Sequence, residues 1–207
     1  MVSKTIACKT TEGLSGRYAS DFKNNNFGCW WKSVVLGWPQ IRGGKITVLN
    51  TDALSDAVKA EYPAFNCVTG DGCNLNYPDA SFDVCFSNSV IEHVGSYEKQ
   101  NEFAKEIRRV GKTIWVQTPA REFPIEPHFM APFIHYYPRW LQRKTVRWFT
   151  VWGLTTKPSR WQIESMLNEI RLLTYAEMVE LFPDCEIYRE KFFGMTKSYV
   201  AIRRQLH

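Results

Sequence analysis

Apolar segments of strand length alternate with helical segments along the middle of the chain, and this alternation constrains the fold most. The strand patterns cover residues 45–50, 65–69, 81–87 and 113–118. Within the third of them, Val84-Cys85-Phe86 is apolar without alternation, as expected for a strand that is covered on both faces. Strands that alternate with helices predict a parallel sheet with helices on both faces.

The C-terminal part predicts two helices and a closing hairpin. Ser159 and Thr174 each begin a capping-box pattern, so we expect helices to start there. Strand patterns at 185–193 and 197–203 are joined at Gly194, which predicts an antiparallel hairpin. We therefore predict a Rossmann-like α/β fold with a seven-stranded, mostly parallel sheet, one antiparallel strand and a helical aromatic insertion.

The size of the chain fits one domain. We expect a single domain over residues 1–207, with an atypical N-terminal part at 1–45 and an inserted cap or acceptor-binding region at 120–172. A hydrophobic fraction of 44% beside 23% charged residues is typical of a folded globular protein. The six cysteines include no C-x-x-C pair, so we expect reduced thiols in a cytoplasmic protein.

The segment 139–161 is rich in tryptophan and arginine. No acidic residue occurs from Ala131 to Ile163, whereas six basic residues do. Three interpretations remain open: a helical cap whose tryptophans complete the core, an interfacial segment on the inner face of an anionic membrane, and a nucleic-acid contact. The net charge of +5 is mild and no recognition motif accompanies the segment, so no nucleic-acid partner is expected.

Acidic residues follow two of the predicted strands. Asp52 comes just after residues 45–50, and Gly70-Asp71-Gly72 comes after 65–69. Each aspartate alone fits a turn residue or a helix cap. The carboxyl ends of parallel strands, however, converge on one crevice, so the placement of both acids favours a ligand site. Carboxylates there can accept paired hydrogen bonds.

Three motifs carry a family resemblance. They are Gly70-Asp71, Pro78-Asp-Ala-Ser-Phe-Asp-Val84 and Ser87-Asn-Ser-Val-Ile-Glu-His-Val94. Together they resemble class I S-adenosylmethionine-dependent methyltransferases, and most closely the bacterial group related to ubiquinone-biosynthesis methyltransferases. Residues 103–111, 116–119 and 123–128 are similar to the same group, and the likeness extends from about Ile46 to the C-terminus.

The resemblance implies a cofactor site for S-adenosylmethionine and methyl transfer to a small-molecule or lipid-linked acceptor. Asp52 stands where the family has an acid that binds the ribose hydroxyls. Asp71 and Gly72 stand where the adenine is framed. The residues at the place that holds the methionine end of the cofactor are Ser87, Asn88 and Ser89.

The first motif of the family, a strand that ends in an acid and a glycine-rich turn, has no clean copy here. Glu12-Gly13-Leu-Ser-Gly16 has the chemistry but precedes Asp52 by more than the roughly 20 residues usual in related nucleotide folds. Asn26-Phe-Gly28 is better placed but lacks the strand and the acid. Cofactor binding is therefore conditional on residues 1–45. The alternative is a catalytically inactive methyltransferase-like binding or scaffold protein.

Glu92 and His93 form an adjacent pair of possible metal ligands. In some relatives a Glu-His pair at this place helps to bind a divalent ion, together with a further carboxylate. Asn88 and Ser89 do not supply that carboxylate here, so we expect a structural pair and no metal site.

His128 and Glu126 are the candidate catalytic residues, because the family usually places acceptor-binding residues in this insertion. A neutral histidine can accept a proton from a hydroxyl or ammonium acceptor. The alternative is that His128 only fixes the proline-rich turn through a backbone hydrogen bond.

Overall fold

The computed structural model describes residues 5–11, 44–53, 56–61, 63 and 65–204. The strands are β1 Thr5–Thr11, β2 Gly44–Asn50, β3 Phe65–Thr69, β4 Phe82–Asn88, β5 Gly111–Pro119, β6 Ile125–Glu126, β7 Ala131–Pro132, β8 Glu186–Phe192 and β9 Met195–Arg203. The α-helices are α1 Asp56–Glu61, α2 Tyr97–Val110, α3 Arg139–Phe149, α4 Val151–Thr156, α5 Arg160–Glu169 and α6 Tyr175–Leu181. Single 3-10 turns cover Ile91–His93 and Ile134–Tyr136.

Seven of the described strands form one mixed sheet in the order β3-β2-β1-β4-β5-β9-β8. β2 is parallel to β3, β4 is parallel to β5, and β1 is antiparallel to both β2 and β4. The strands β2 to β5 therefore run in one direction and end at a common edge, the carboxyl edge. The predicted α/β class with a Rossmann-like mixed sheet is confirmed.

The prediction of one antiparallel strand is wrong, because β1 and β9 both run against their neighbours. Thr5 pairs with Asn50 at the carboxyl edge, and Thr11 pairs with Gly44 at the opposite edge. The apolar pattern of a strand carries no direction, so the sequence could not reveal this. Both proposed glycine turns, Glu12–Gly16 and Asn26–Gly28, lie outside the described residues.

Two apolar clusters lie on opposite faces of the sheet. Ile114 and Val116 of β5 pack in the larger cluster, with Phe103 of α2 and Phe182 beyond α6. Trp115, between them in the chain, belongs to the second cluster and stacks on Phe86 at a centroid distance of 4.5 Å. The predicted burial of the central strands on both faces is therefore confirmed, while helices on the second face stay a prediction.

The helix starts follow the capping signals in the sequence. Ser159 and Gln162 form a capping box at α5, and Thr174 and Glu177 form one at α6, as predicted. The predicted antiparallel hairpin is also confirmed as β8 and β9. Between β4 and α2 the chain forms only the 3-10 turn Ile91–His93.

The insertion leaves the sheet at Ala120 and returns at Leu173, where these two residues form an isolated parallel bridge. It contains β6, β7 and the helices α3 to α5. Its own apolar cluster consists of Phe129, Ala131, Ile134, Val146, Ile163 and Leu167. Because Pro119 ends β5 at the carboxyl edge, the insertion starts beside the predicted ligand site.

Candidate functional site

A pocket of about 220 Å³ lies at the carboxyl edge. Its lining includes Thr51 after β2, Asp71 and Gly72 after β3, and Val90 and His93 after β4. The loops after β2 and β3 are held together by the Gly70 amide, which donates to the Asn50 carbonyl at 3.0 Å. The strand ends thus converge as the sequence analysis expected, and we call this cavity the carboxyl-edge pocket.

Asp71 has a structural contact as well as a place in the pocket wall. Its Oδ1 accepts a hydrogen bond from the Cys73 amide at 2.9 Å, which closes a tight turn after β3. Asp52 is exposed and follows Thr51 directly, but it is not part of the pocket lining. The structure therefore places Asp71 and Gly72 in the pocket and Asp52 one residue beyond its wall.

The polar residues at the end of β4, Ser87 to Ser89, are not part of the pocket lining. Ser87 is fully buried, and its Oγ has no hydrogen-bond partner within the described part of the chain. Ser89 has φ of 53°, and both its amide and its hydroxyl donate to Gln117 of β5. Asn88 pairs with Gln117 in the sheet register. A left-handed, non-glycine residue is costly and is often found at ligand sites.

Behind the pocket, three buried side chains and one partly buried side chain, that of His128, form a cluster that we call the Glu–His cluster. It consists of Glu92 and His93 from the 3-10 turn, and Glu126 and His128 from the insertion. His128 Nδ1 lies 2.6 Å from Glu126 Oε1, and the other Glu126 oxygen accepts from the Phe129 amide at 2.6 Å. His128 Nε2 lies 3.1 Å from His93 Nε2. His93 links the cluster to the pocket, because it is also part of the pocket wall.

Glu92 is fully buried. Its Oε2 accepts a hydrogen bond from Thr118 Oγ1 at 2.9 Å, and its Oε1 lies 4.0 Å from His128 Nε2. Burial raises the pKa of Glu92 to about 7, although the His128 charge and several hydrogen bonds oppose this shift. Burial alone would lower the pKa of His128, but the hydrogen bond and charge of Glu126, with the Glu92 charge, raise it.

The 3-10 turn is held in place by Gln100 and Arg171. Gln100 Nε2 donates to the carbonyls of Ile91 and Arg171, at 3.0 and 2.8 Å. The Arg171 amide donates to the Glu92 carbonyl at 2.8 Å. These contacts join α2, the turn and the end of the insertion. They hold the backbone of Glu92 and His93 in place, and both side chains lie close to His128.

The sequence did not predict the contact between His93 and His128, which are 35 positions apart in the chain. It also missed Thr118 and Glu169, whose oxygens face Glu92 and His93. No local pattern marks these contacts, because they depend on how the insertion folds back. His135 stays outside the cluster, with its Nε2 2.9 Å from the Arg121 carbonyl.

A larger cavity, of about 630 Å³, lies where β2, β3 and β4 begin. Its lining includes Lys45, Phe65 and Phe82. It is at the edge opposite to the strand ends, and ligands of open α/β sheets bind at the carboxyl ends. The smaller carboxyl-edge pocket is therefore the better candidate site.

The cap interpretation expected the tryptophans of the insertion to complete the core, but three of the four are exposed. Trp140, Trp148 and Trp161 are 59%, 62% and 76% exposed, and Trp152 alone of the four packs against a core residue, Phe129. Trp140, Lys144 and Trp148 recur every four residues of α3 and share one face. No helix within the described residues has the length and apolarity needed to cross a membrane.

A mixed sheet with a pocket at its carboxyl edge defines an α/β protein of the class that binds nucleotide-like ligands there. Residues 26–113 match the family described as "Methyltransferase domain". This match, over somewhat less than half of the chain, supports a class I S-adenosylmethionine-dependent methyltransferase with S-adenosylmethionine as its cofactor. No curated protein gives a significant match.

Solved structures overlap with the fold in part. A protein of Pyrococcus horikoshii OT3 is 12% identical, with 83% of this chain and 76% of that chain covered and a TM-score of 0.48. A SAM-dependent methyltransferase of Methanosarcina mazei is 17% identical, with 75% and 80% covered and a TM-score of 0.38. A SAM-dependent methyltransferase of Thermotoga maritima, described as a possible histamine N-methyltransferase, is 15% identical, with 74% and 70% covered and a TM-score of 0.42.

Proposed function

We propose that the chain transfers a methyl group from S-adenosylmethionine to a small or lipid-linked acceptor at the carboxyl-edge pocket. The observation that carries this proposal is the convergence of Asp71, Gly72 and His93 on one pocket. Methyl transfer in general follows from the family match. The class of acceptor and the roles of the individual residues are our proposals.

We assign the adenosine end of the cofactor to the loops after β2 and β3. Asp71 and Gly72 would frame the adenine, and Asp52 would accept hydrogen bonds from the ribose diol. The exposed Asp52 can reach a ligand that extends past the wall at Thr51. We assign the methionine end to Ser87, Asn88 and Ser89. The buried Ser87 hydroxyl supports this, since buried hydroxyls usually have a hydrogen-bond partner.

Methyl transfer is a displacement in which the protein mainly positions the two reactants. The methyl carbon leaves the sulfonium sulfur, which becomes a neutral thioether, and bonds to the acceptor atom. A hydroxyl or ammonium acceptor must also lose a proton. We propose His128 as the group that takes it at Nε2, oriented by Glu126 through Nδ1. The proton would reach His128 through the His93 ring, which lines the pocket: one ring nitrogen of His93 takes a proton and the other, Nε2, gives one to His128 Nε2 at 3.1 Å.

The direction of β1 favours a second candidate, a methyltransferase-like binding protein without activity. Family members need a glycine turn at the carboxyl edge beside β2, whereas Thr11 ends β1 at the opposite edge. One experiment distinguishes the methyltransferase from the inactive binding protein. With methyl-labelled S-adenosylmethionine and a small-molecule and lipid extract, we expect label in a product together with S-adenosylhomocysteine. Cofactor binding without any labelled product would favour the binding protein.

We further propose that the acceptor is reached at an anionic lipid surface. The exposed face of Trp140, Lys144 and Trp148 combines aromatic rings with positive charge. The tip of the β8–β9 hairpin adds exposed Phe192 and Phe193, 51% and 87% accessible. This tip lies at the carboxyl edge of the sheet. β9 is antiparallel to β5, so β9 begins beside the residues where β5 ends.

Co-sedimentation with anionic liposomes tests this surface. We expect binding that weakens as salt rises, since charge attraction is screened. Lys144→Glu should weaken it roughly tenfold, because each basic residue near such a surface contributes about 1 kcal/mol and the reversal also adds repulsion. Lys105→Glu, an exposed lysine on α2, is the matched control and should change binding much less. Equal losses in both variants, or no binding to liposomes, would contradict the proposal.

A further inference from the structure

We propose that the Glu–His cluster binds one divalent transition-metal ion, of the zinc type, through Glu92, His93 and His128. The three possible ligand atoms lie within 4.8 Å of one another. Two of them, the Nε2 atoms of His93 and His128, are 3.1 Å apart. Ligand atoms of a tetrahedral zinc site are separated by roughly 3.3 Å, so a small contraction around an ion would complete the geometry.

The hydrogen-bond partners of the histidines support a cation between them. Glu126 accepts from the Phe129 amide, and its other oxygen lies 2.6 Å from His128 Nδ1, so it favours a proton on that nitrogen. Glu169 Oε1 lies 3.6 Å from His93 Nδ1, which is too far for a hydrogen bond but places a second negative charge beside the pair. The Nε2 lone pair of His128 then faces His93 Nε2 at 3.1 Å. A position between two ring nitrogens and beside carboxylates suits a cation.

This arrangement matches the supporting shell of known zinc sites. A histidine that binds zinc usually donates its other ring N–H to a carboxylate or a carbonyl, which fixes the ring and raises its basicity. Here Glu126 stands behind His128 at 2.6 Å, and Glu169 Oε1 lies within ion-pair distance of His93 Nδ1, at 3.6 Å. Thr118 holds Glu92 Oε2 and leaves Oε1 directed at the histidines.

Glu92 provides the independent sign of a missing ligand. Its side chain is fully buried, and Oε1 accepts no hydrogen bond within the described part of the chain. An isolated carboxylate oxygen in such a place is costly unless it is paired with a cation. A bound ion would pair with Oε1 while it contacts the Nε2 atoms of both histidines. Two histidines and one carboxylate form a ligand set that zinc and ferrous iron both use.

The metal site would also adjoin the place of methyl transfer; this part of the inference rests on the proposed function. Three protein ligands leave a coordination position open, as in catalytic metal sites. His93 lies in the wall of the carboxyl-edge pocket, so the ion would adjoin the acceptor. Metal binding and proton acceptance use the same lone pair of His128 Nε2. The two roles therefore exclude each other: His128 is a base in the metal-free protein and a ligand in the loaded one.

Titration of chelator-treated protein with Zn²⁺, without S-adenosylmethionine, tests the site separately from methyl transfer. We expect one Zn²⁺ per chain by calorimetry, and cobalt substitution should give the visible absorption of a four-coordinate ion. His128→Ala should weaken Zn²⁺ binding at least 100-fold. Glu126→Gln, which touches only the supporting shell, should weaken it about tenfold.

His135→Ala is the matched control, because His135 lies in the same insertion but outside the cluster. Its Zn²⁺ affinity should equal that of the wild type. The loss of affinity in His128→Ala, with the cysteines unchanged, excludes the cysteines as the source of the signal. Circular dichroism identifies any variant that fails to fold. If His128→Ala does not fold, the Zn²⁺ affinity of Glu126→Gln and the cobalt spectrum of the wild type still show whether the cluster binds the ion. The proposal is overturned if the wild type binds no stoichiometric Zn²⁺, or if the His128 and His135 variants bind it equally well.

Discussion

Asp71→Ala is expected to weaken the binding of S-adenosylhomocysteine by about 10- to 100-fold. The Asp71 carboxylate lies in the wall of the carboxyl-edge pocket at the end of β3. A hydrogen bond to a charged group contributes about 1.5–3 kcal/mol, and each 1.4 kcal/mol corresponds to tenfold in affinity. Calorimetric titration of the variant and the wild type with S-adenosylhomocysteine measures the difference.

Two further variants separate the ligand contact from the turn that Asp71 closes. Asp71→Asn keeps an oxygen that can accept from the Cys73 amide but removes the charge, so it should retain the turn and still lose affinity. Asp56→Ala removes an exposed aspartate of α1 and should bind like the wild type. Unchanged affinity in Asp71→Ala would show that the cofactor does not contact this carboxylate.

Gly153→Ala is expected to destabilise the protein by about 3 kcal/mol or more, the upper range for an overpacked site. A Cβ at Gly153 would lie 2.0 Å from the Val146 carbonyl oxygen and 2.7 Å from Arg147 Cα. These are backbone atoms, so no side chain can move aside. Thr150 tightens the same corner, because its hydroxyl donates to the Val146 carbonyl and accepts from the Gly153 amide.

Chemical denaturation of Gly153→Ala and Gly194→Ala measures this effect against a control. Gly194 has φ of 79° with open space around its missing Cβ, so alanine there should cost only the backbone penalty of about 1–2 kcal/mol. A Gly153 variant that is no less stable than the Gly194 variant would contradict the close approach of α3 and α4.

Much of the fold is readable from the sequence, because its signals are local. The strands at residues 46–50, 65–69 and 82–87 follow from their apolar patterns, and α5 and α6 start where capping boxes predict them. The direction of β1 is not readable, since the pattern of Thr5–Thr11 is the same in either direction. Strand direction is set by the connection, and residues 12–43 lie outside the described part of the chain.

The candidate site is only half readable for a similar reason. Asp71 and Gly72 directly follow a strand, so the order of elements brings them to the pocket. The contact between His93 and His128 depends on the path of the insertion, which holds prolines and short turns without a periodic pattern. The sequence left the role of the tryptophans open, because tryptophan is usually largely buried, whereas Trp148 and Trp161 are exposed.

Calorimetric titration of the wild-type protein with S-adenosylhomocysteine decides whether the carboxyl-edge pocket binds the cofactor. We expect one site per chain with a dissociation constant in the micromolar range, within the roughly 1 μM–1 mM span usual for enzymes and their ligands. Protection of the loops after β3 and β4 from hydrogen exchange should accompany this binding. No binding at millimolar ligand would contradict the claim, as would binding that leaves the loop at Asp71 and Gly72 unprotected.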